Sequence, residues 1–230
     1  MGKVKNDKNK HVICTYCDNT ATTKDHVPPK LLFAKPRPKL ITVPACLQCN
    51  KNASIDDEYF RAGLVFEGAQ TENSDALLVE TDVIKSLHRP EARGFRKAVL
   101  SKMREVECIS PLGIYMGNAH ELGVDPRRLN RVIERITRGL FLHHTGRRLP
   151  LDCRVSAFTS RSLSQRKIAT ILSLIGDLDS TVYTVGNQTF CYRFSLARDQ
   201  ENFSFWVFIV YGAFSFSAIT IDQRTNTSLE

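Results

Sequence analysis

Two C-x2-C pairs, Cys14/Cys17 and Cys46/Cys49, bracket Asp25-His26 and run directly into Asn50. Each short turn can deliver two thiolates, and two such turns place four sulfurs at the corners of a tetrahedron, so the spacing predicts a structural zinc site. A zinc there ties residues 14 to 49 into one rigid unit. A module of about fifty residues buries too little apolar surface to be stable by packing alone, so the metal is expected to supply folding free energy directly. Two unrelated pairs of buried cysteines, or two disulfides, are the competing reading. Cys108, Cys153 and Cys191 lack motif spacing and read as buried free thiols.

The chain has 230 residues, enough for one small module and one larger domain. It contains no apolar run long enough to span a bilayer, and its start, Met1-Gly2-Lys3-Val4-Lys5-Asn6, lacks the apolar stretch of a signal peptide. A cytoplasmic location with no membrane partner is therefore expected, and reduced, metal-bound cysteines suit that compartment.

Charge is distributed unevenly. Residues 1 to 51 hold ten Lys/Arg against three Asp/Glu, a net of +7, whereas the remainder holds 22 against 21, a net of +1. Lys3, Lys5, Lys8 and Lys10 form a basic arm over residues 1–10, and Lys24, Lys30 and Lys51 flank the Asp-His and Asn positions. Clustered cations of this kind predict a polyanionic partner, with phosphates displacing counterions. A solvated tail that aids solubility is the plainer reading of the arm.

Local patterns predict a strand over Ala21–His26, a break at Val27-Pro28-Pro29, a brief turn through Lys30–Phe33, a stiff loop at Lys35–Pro38 and a second strand over Leu40–Pro44. Asn50 falls on a short helical segment. Ser54 with Asp57 three residues on has the form of a capping box that opens a separate, longer helix through Tyr59, Phe60, Leu64 and Phe66.

Taken in order, Cys14-Thr-Tyr-Cys17, Thr23-Lys-Asp25-His26-Val-Pro-Pro-Lys30, Cys46-Leu-Gln-Cys49-Asn50 and Ile55-Asp56 resemble the zinc-knuckle branch of the HNH endonucleases, over roughly residues 11 to 66. That resemblance implies a ββα-metal fold and metal-dependent hydrolysis of DNA, double-stranded by default, in a bacterial or phage defence or mobile-element setting. It casts His26 as the general base, with Asp25 and Asn50 as ligands of Mg²⁺ or Mn²⁺ and Asp56 as a further ligand. An acidic residue in a helix's first turn also suits the helix dipole, which is the structural reading of Asp56. Zinc would not be the catalytic metal, since four cysteines leave it no open position. The chain departs from the family where Asn50 stands in place of a frequent histidine, and where Arg37–Pro44 lacks the asparagine that orients the base. A non-catalytic zinc-knuckle element for nucleic-acid binding or protein interaction is the alternative.

The remaining sequence completes an α+β reading: a nuclease module over 11–67, a helical region over 68–150, and a C-terminal domain of antiparallel strands over 151–230. Helical spacing covers Asp75–Leu87 and Glu91–Val106, and Asp125-Pro126 opens a third helix whose buried face is Leu129, Val132, Ile133, Ile136, Leu140 and Phe141. Its arginines, Arg131 and Arg135 among them, offer a second phosphate-contacting surface or, equally, partners for carboxylates inside the fold. His88, His143 and His144 read as helix-end residues. Beyond Pro150 the pattern predicts a helix over Ser162–Ile175 and strands over Thr181–Val185, Thr189–Leu196, Phe203–Tyr211 and Ala213–Ile221. The Phe203–Tyr211 strand is apolar on both faces. An interior position, covered by helices or by a homodimer or other protein partner, is therefore expected.

Overall fold

The first knuckle leads straight into an antiparallel hairpin, β1 (Thr23–Val27) and β2 (Ile41–Ala45), in which Asp25 pairs with Val43 and His26 with Thr42. The computed structural model describes residues 12–66, 72–159, 173, 181–197 and 199–222. The basic arm and, apart from the helical Ser173, the helix expected over Ser162–Ile175 lie outside them. Pro29 precedes a 3-10 turn over Lys30–Leu32, as its fixed φ favours.

After β2 comes α1 (Leu47–Phe66), a single 20-residue helix. This corrects the expectation of two segments: Ser54 is interior to the helix, and its hydroxyl donates back to the Lys51 carbonyl at 2.7 Å, so it does not cap a new start. Next come α2 (Ser74–Leu87), capped by the Asn73 side chain on the Asp75 and Ala76 amides, and the short α3 (Arg93–Leu100).

The helix expected through Val106 ends at Leu100, and the chain turns into a hairpin of β3 (Met103–Ile109) and β4 (Tyr115–Leu122). Val99, Met103 and Val106 lie at helical spacing in sequence, but from Val106 to Ile109 half-buried and exposed positions alternate, which is the period of a strand. The turn uses Gly113 at φ +80°, and Leu112 and Met116 at the far end are 87% and 71% exposed. The helical region therefore contains a two-stranded sheet.

The long helix α4 (Pro126–Thr145) organises the rest. Asp125 accepts from the Arg127 amide at its start, Pro126 takes the first helical position, and Gly146 closes it in the left-handed conformation. All six of its expected core positions are buried. Against it lies a five-stranded antiparallel sheet in the order β5 (Arg154–Thr159), β9 (Phe214–Ile221), β8 (Ser204–Val210), β7 (Phe190–Leu196) and β6 (Tyr183–Val185).

The central strand is β8. Trp206, Phe208 and Val210 enter the main core, while Phe205, on the opposite face, joins Phe203 and Ile219 in a smaller cluster. Val27 of β1, Phe60 of α1 and Ile133 of α4 share that main core with the sheet, so the four-cysteine module and the C-terminal strands bury one continuous apolar interior. Contact between β1 and α4 is close enough to require a glycine: a Cβ on Gly139 would stand 2.6 Å from Val27 Cγ2. Among the described residues no helix is long and apolar enough to cross a membrane.

Candidate zinc centre and the hairpin–helix corner beside it

The four cysteines of the paired motifs converge. Their Sγ atoms all lie within 4.8 Å of one another, and Cys17 stands 3.6 Å from both Cys46 and Cys49. Tetrahedral zinc with Zn–S bonds of about 2.3 Å requires sulfurs about 3.8 Å apart, so the cluster has the dimensions to hold such a metal. Backbone amides stabilise the thiolates: Tyr16 N–H points at Cys14 Sγ and Cys49 N–H at Cys46 Sγ, both at 3.4 Å. The Cys49 amide draws the Cys46 thiol down to about 7, against burial, which favours the ligating form.

A clasp from far along the chain completes this centre. The Arg148 guanidinium donates to the Cys14 and Cys17 carbonyls at 3.0 and 2.8 Å and to Asp18 at 2.8 Å, tying the end of α4 to the first knuckle. Sequence reasoning missed Arg148, because nothing local marks it.

Cys49 precedes Asn50 on the first turn of α1, so the cluster also fixes where Asn50 points. Its Nδ2 donates to Thr23 Oγ1 at 3.1 Å and to the Lys24 carbonyl at 3.3 Å. A carbonyl acceptor demands the amide nitrogen on that side, which turns Asn50 Oδ1 away from the strand.

Neighbouring residues on β1 point to opposite faces. Thr23, Asp25 and Val27 face the helices, whereas Lys24 is exposed and His26 half-buried on the outer face. Burial lowers the His26 pKa, Lys30 and Arg37 lower it further, and Asp25 opposes them. The imidazole is therefore biased toward its neutral form.

Asp25 is 4% exposed and anchors a buried charge network. Its Oδ2 accepts from the Tyr16 hydroxyl at 2.8 Å and from Arg135 Nη1 at 2.9 Å, and the second amino group of Arg135 bonds Asp57. Burial pushes the Asp57 carboxyl up to about 7; Arg135 works against that, and the charges of Asp25 and Asp56 add to it. Tyr16 is raised well above its ordinary value, by burial first and by Asp25 next, so it remains a neutral donor.

Asp25 Oδ1, by contrast, accepts from no described residue. The one fully enclosed side-chain polar atom without a partner among the described residues is Arg61 Nε, so Asp25 Oδ1 reaches solvent. Asp25 Oδ1, on the inner face of β1, and Asn50 Oδ1, turned away from the strand, are thus two oxygens without a described donor, the donor type a hard divalent cation takes.

Asp56, expected as a further cation ligand, instead gives both oxygens to arginines: Arg128 Nε at 2.9 Å, and Arg131 Nε and Nη2 at 2.7 and 3.0 Å. Burial alone would raise its carboxyl, but the two guanidiniums hold it below the ordinary carboxylate range. Of the cations expected to meet nucleic acid, Lys24, Lys30 and Lys51 are exposed around the corner and Arg131 is 54% exposed. Arg135 is 12% exposed and engaged by Asp25 and Asp57. Comparison with protein-family models, with curated proteins and with solved structures returned no match.

Proposed function

We propose that the chain is a metal-dependent endonuclease that hydrolyses DNA phosphodiester bonds, as the HNH resemblance implies. The observation that supports this reading is the position of Asn50: its amide bonds Thr23 Oγ1 and the Lys24 carbonyl, which sets it against the strand that carries Asp25 on its inner face and His26 on its outer face, with Lys24, Lys30 and Lys51 exposed.

His26 is the general base. Its outward-facing imidazole takes the proton of a water poised on the phosphorus, a role that requires the neutral ring. Lys24, Lys30 and Lys51 supply the charge that brings the polyanion to this face and orients it there. Asp25 and Asn50, through their free oxygens, are the residues that would hold Mg²⁺ or Mn²⁺. When bound, that cation supplies charge stabilisation on the phosphoryl and departing oxygens. Tyr16 and Arg135 fix the Asp25 carboxylate in place from its other oxygen.

The same ion pair favours a second reading. Arg135 already gives Asp25 a cationic partner, which suits a zinc-stapled DNA-binding module without chemistry. Single-turnover cleavage of an end-labelled duplex by wild-type and His26→Ala protein separates the two. The nuclease reading expects the substitution to lower the rate by about 10²–10⁴-fold with duplex binding retained; binding without cleavage by the wild type selects the binding module, and equal cleavage rates remove His26 from the role of base. Because the base must be deprotonated and its pKa is lowered, activity is expected to persist down through pH of about 6.5 and to fall only below it. An acid limb centred above that value would remove His26 from this role.

A further inference from the structure

A cavity of about 510 Å³ opens between the second knuckle and α4, lined by Tyr16, Asn52, Arg131, Glu134, Arg135 and Arg138 among others. That volume falls within the roughly 300–1,000 Å³ of small-molecule sites. Its polar groups divide into two kinds.

Three guanidiniums line the wall with Asp56 beside them, and each keeps one nitrogen without a described partner. Arg131 uses Nε and Nη2 on Asp56, Arg135 uses both amino groups on Asp25 and Asp57, and Arg138 uses both on the Pro150 and Cys153 carbonyls. These leftover guanidinium nitrogens are donors of the kind that meet a phosphate. Glu134 is the opposite: half-buried on α4 between Arg131 and Arg138, it accepts no hydrogen bond from any described residue. A partly buried carboxylate with both oxygens open can accept from a ligand with two adjacent N–H donors. Tyr16 adds a ring against which a base can lie, held in place by its hydroxyl on Asp25.

We propose that this cavity binds a guanine nucleotide, the phosphate meeting the arginines and guanine N1–H and N2–H donating to the two oxygens of Glu134. Among the bases only guanine presents two neighbouring donors on its Watson–Crick edge. Adenine and cytosine set a ring acceptor beside their amino group, and thymine flanks its single N–H with carbonyls, so each turns a lone pair toward the carboxylate. The choice of a nucleotide as ligand rests on the nuclease reading; the choice of guanine rests on Glu134.

Titration calorimetry of the zinc-loaded full chain, without added divalent cation, tests it with dGMP, dAMP, dCMP, dTMP and inorganic phosphate. The expected result is dGMP binding at least about tenfold tighter than the other four, with Glu134→Gln erasing the preference while zinc content is unchanged. A tetranucleotide containing a single dG separates a strand unit from a free nucleotide, and tight binding of either carries the proposal. Equal affinity for all probes, binding of phosphate alone, or no binding overturns it. The same titrations on His26→Ala keep the two hypotheses apart, since loss of cleavage there leaves guanine binding intact.

Discussion

Chelating the metal from the four-cysteine cluster is expected to unfold the hairpin–helix unit and to loosen α4 with it. Structural zinc contributes about 10–16 kcal/mol to the folding of small finger peptides, comparable with the roughly 5–15 kcal/mol by which a whole domain is stable. In this chain the cluster holds both ends of the β1–β2 hairpin. Cys14 hydrogen-bonds across the first knuckle, Thr22 N–H bonds the Ala45 carbonyl, and Thr15 reaches the Pro44 carbonyl at 2.8 Å. Arg148 takes its acceptors from the first knuckle, so loss of the knuckle strands a guanidinium at the end of α4. Far-UV circular dichroism with a chromogenic zinc indicator reads the outcome: helix signal should fall in step with release of one zinc per chain, and Cys49→Ser should behave like the chelated protein. Full retention of structure and melting temperature after complete chelation would mean that packing alone holds the module.

Arg135→Ala is expected to cost about 3–5 kcal/mol, the usual consequence of removing one partner from a buried charge pair. The reason is its position between two carboxylates. Asp25 and Asp57 are 6% and 12% exposed at their side chains and share this single guanidinium, so alanine leaves two acids facing each other away from water. Arg147→Ala is the control: its partner Glu201 is 82% exposed, and a surface pair of this kind contributes about 0–1 kcal/mol. The network also sets a pH dependence. Asp57 titrates at about 7 in the folded protein, above the ordinary value of about 3.9. Its contribution to stability is therefore fully present below about pH 4 and is lost as pH rises toward 7, a slope that Asp57→Asn should remove. Chemical denaturation at a series of pH values measures both effects. A cost for Arg135→Ala no larger than that for Arg147→Ala would show the network to be incidental.

What the sequence made legible was local. Metal-ligand spacing, the Asp125-Pro126 start and Gly146 end of α4, and the β-branched and aromatic runs of β7, β8 and β9 each depend on residues a few positions apart, and each is found where its pattern placed it. The continuous α1 was harder, because Ser54 and Asp57 carry a start signal that the preceding knuckle overrides by already turning the chain into a helix. The β3–β4 hairpin was missed because Val99, Met103 and Val106 fit a helical stripe as well as they fit the end of one helix and the start of a strand.

The charge network lay beyond local reading altogether. Asp25 and Arg135 are 110 residues apart, and Arg148 lies 134 residues from Cys14. The one available hint was a helix with five arginines and a single glutamate on faces left over from its apolar stripe, which fitted phosphate contact and internal carboxylate pairing equally. In the structure Arg128, Arg131 and Arg135 pair with carboxylates.

The measurement that bears most directly on the central claim is conversion of supercoiled plasmid by zinc-loaded protein, with Mg²⁺ or Mn²⁺ added and with neither. The account predicts nicked or linear product only when the second cation is present, and none from Asp25→Ala protein that retains its zinc. Plasmid bound and shifted but left supercoiled under every cation, or cut equally well without one, would contradict it.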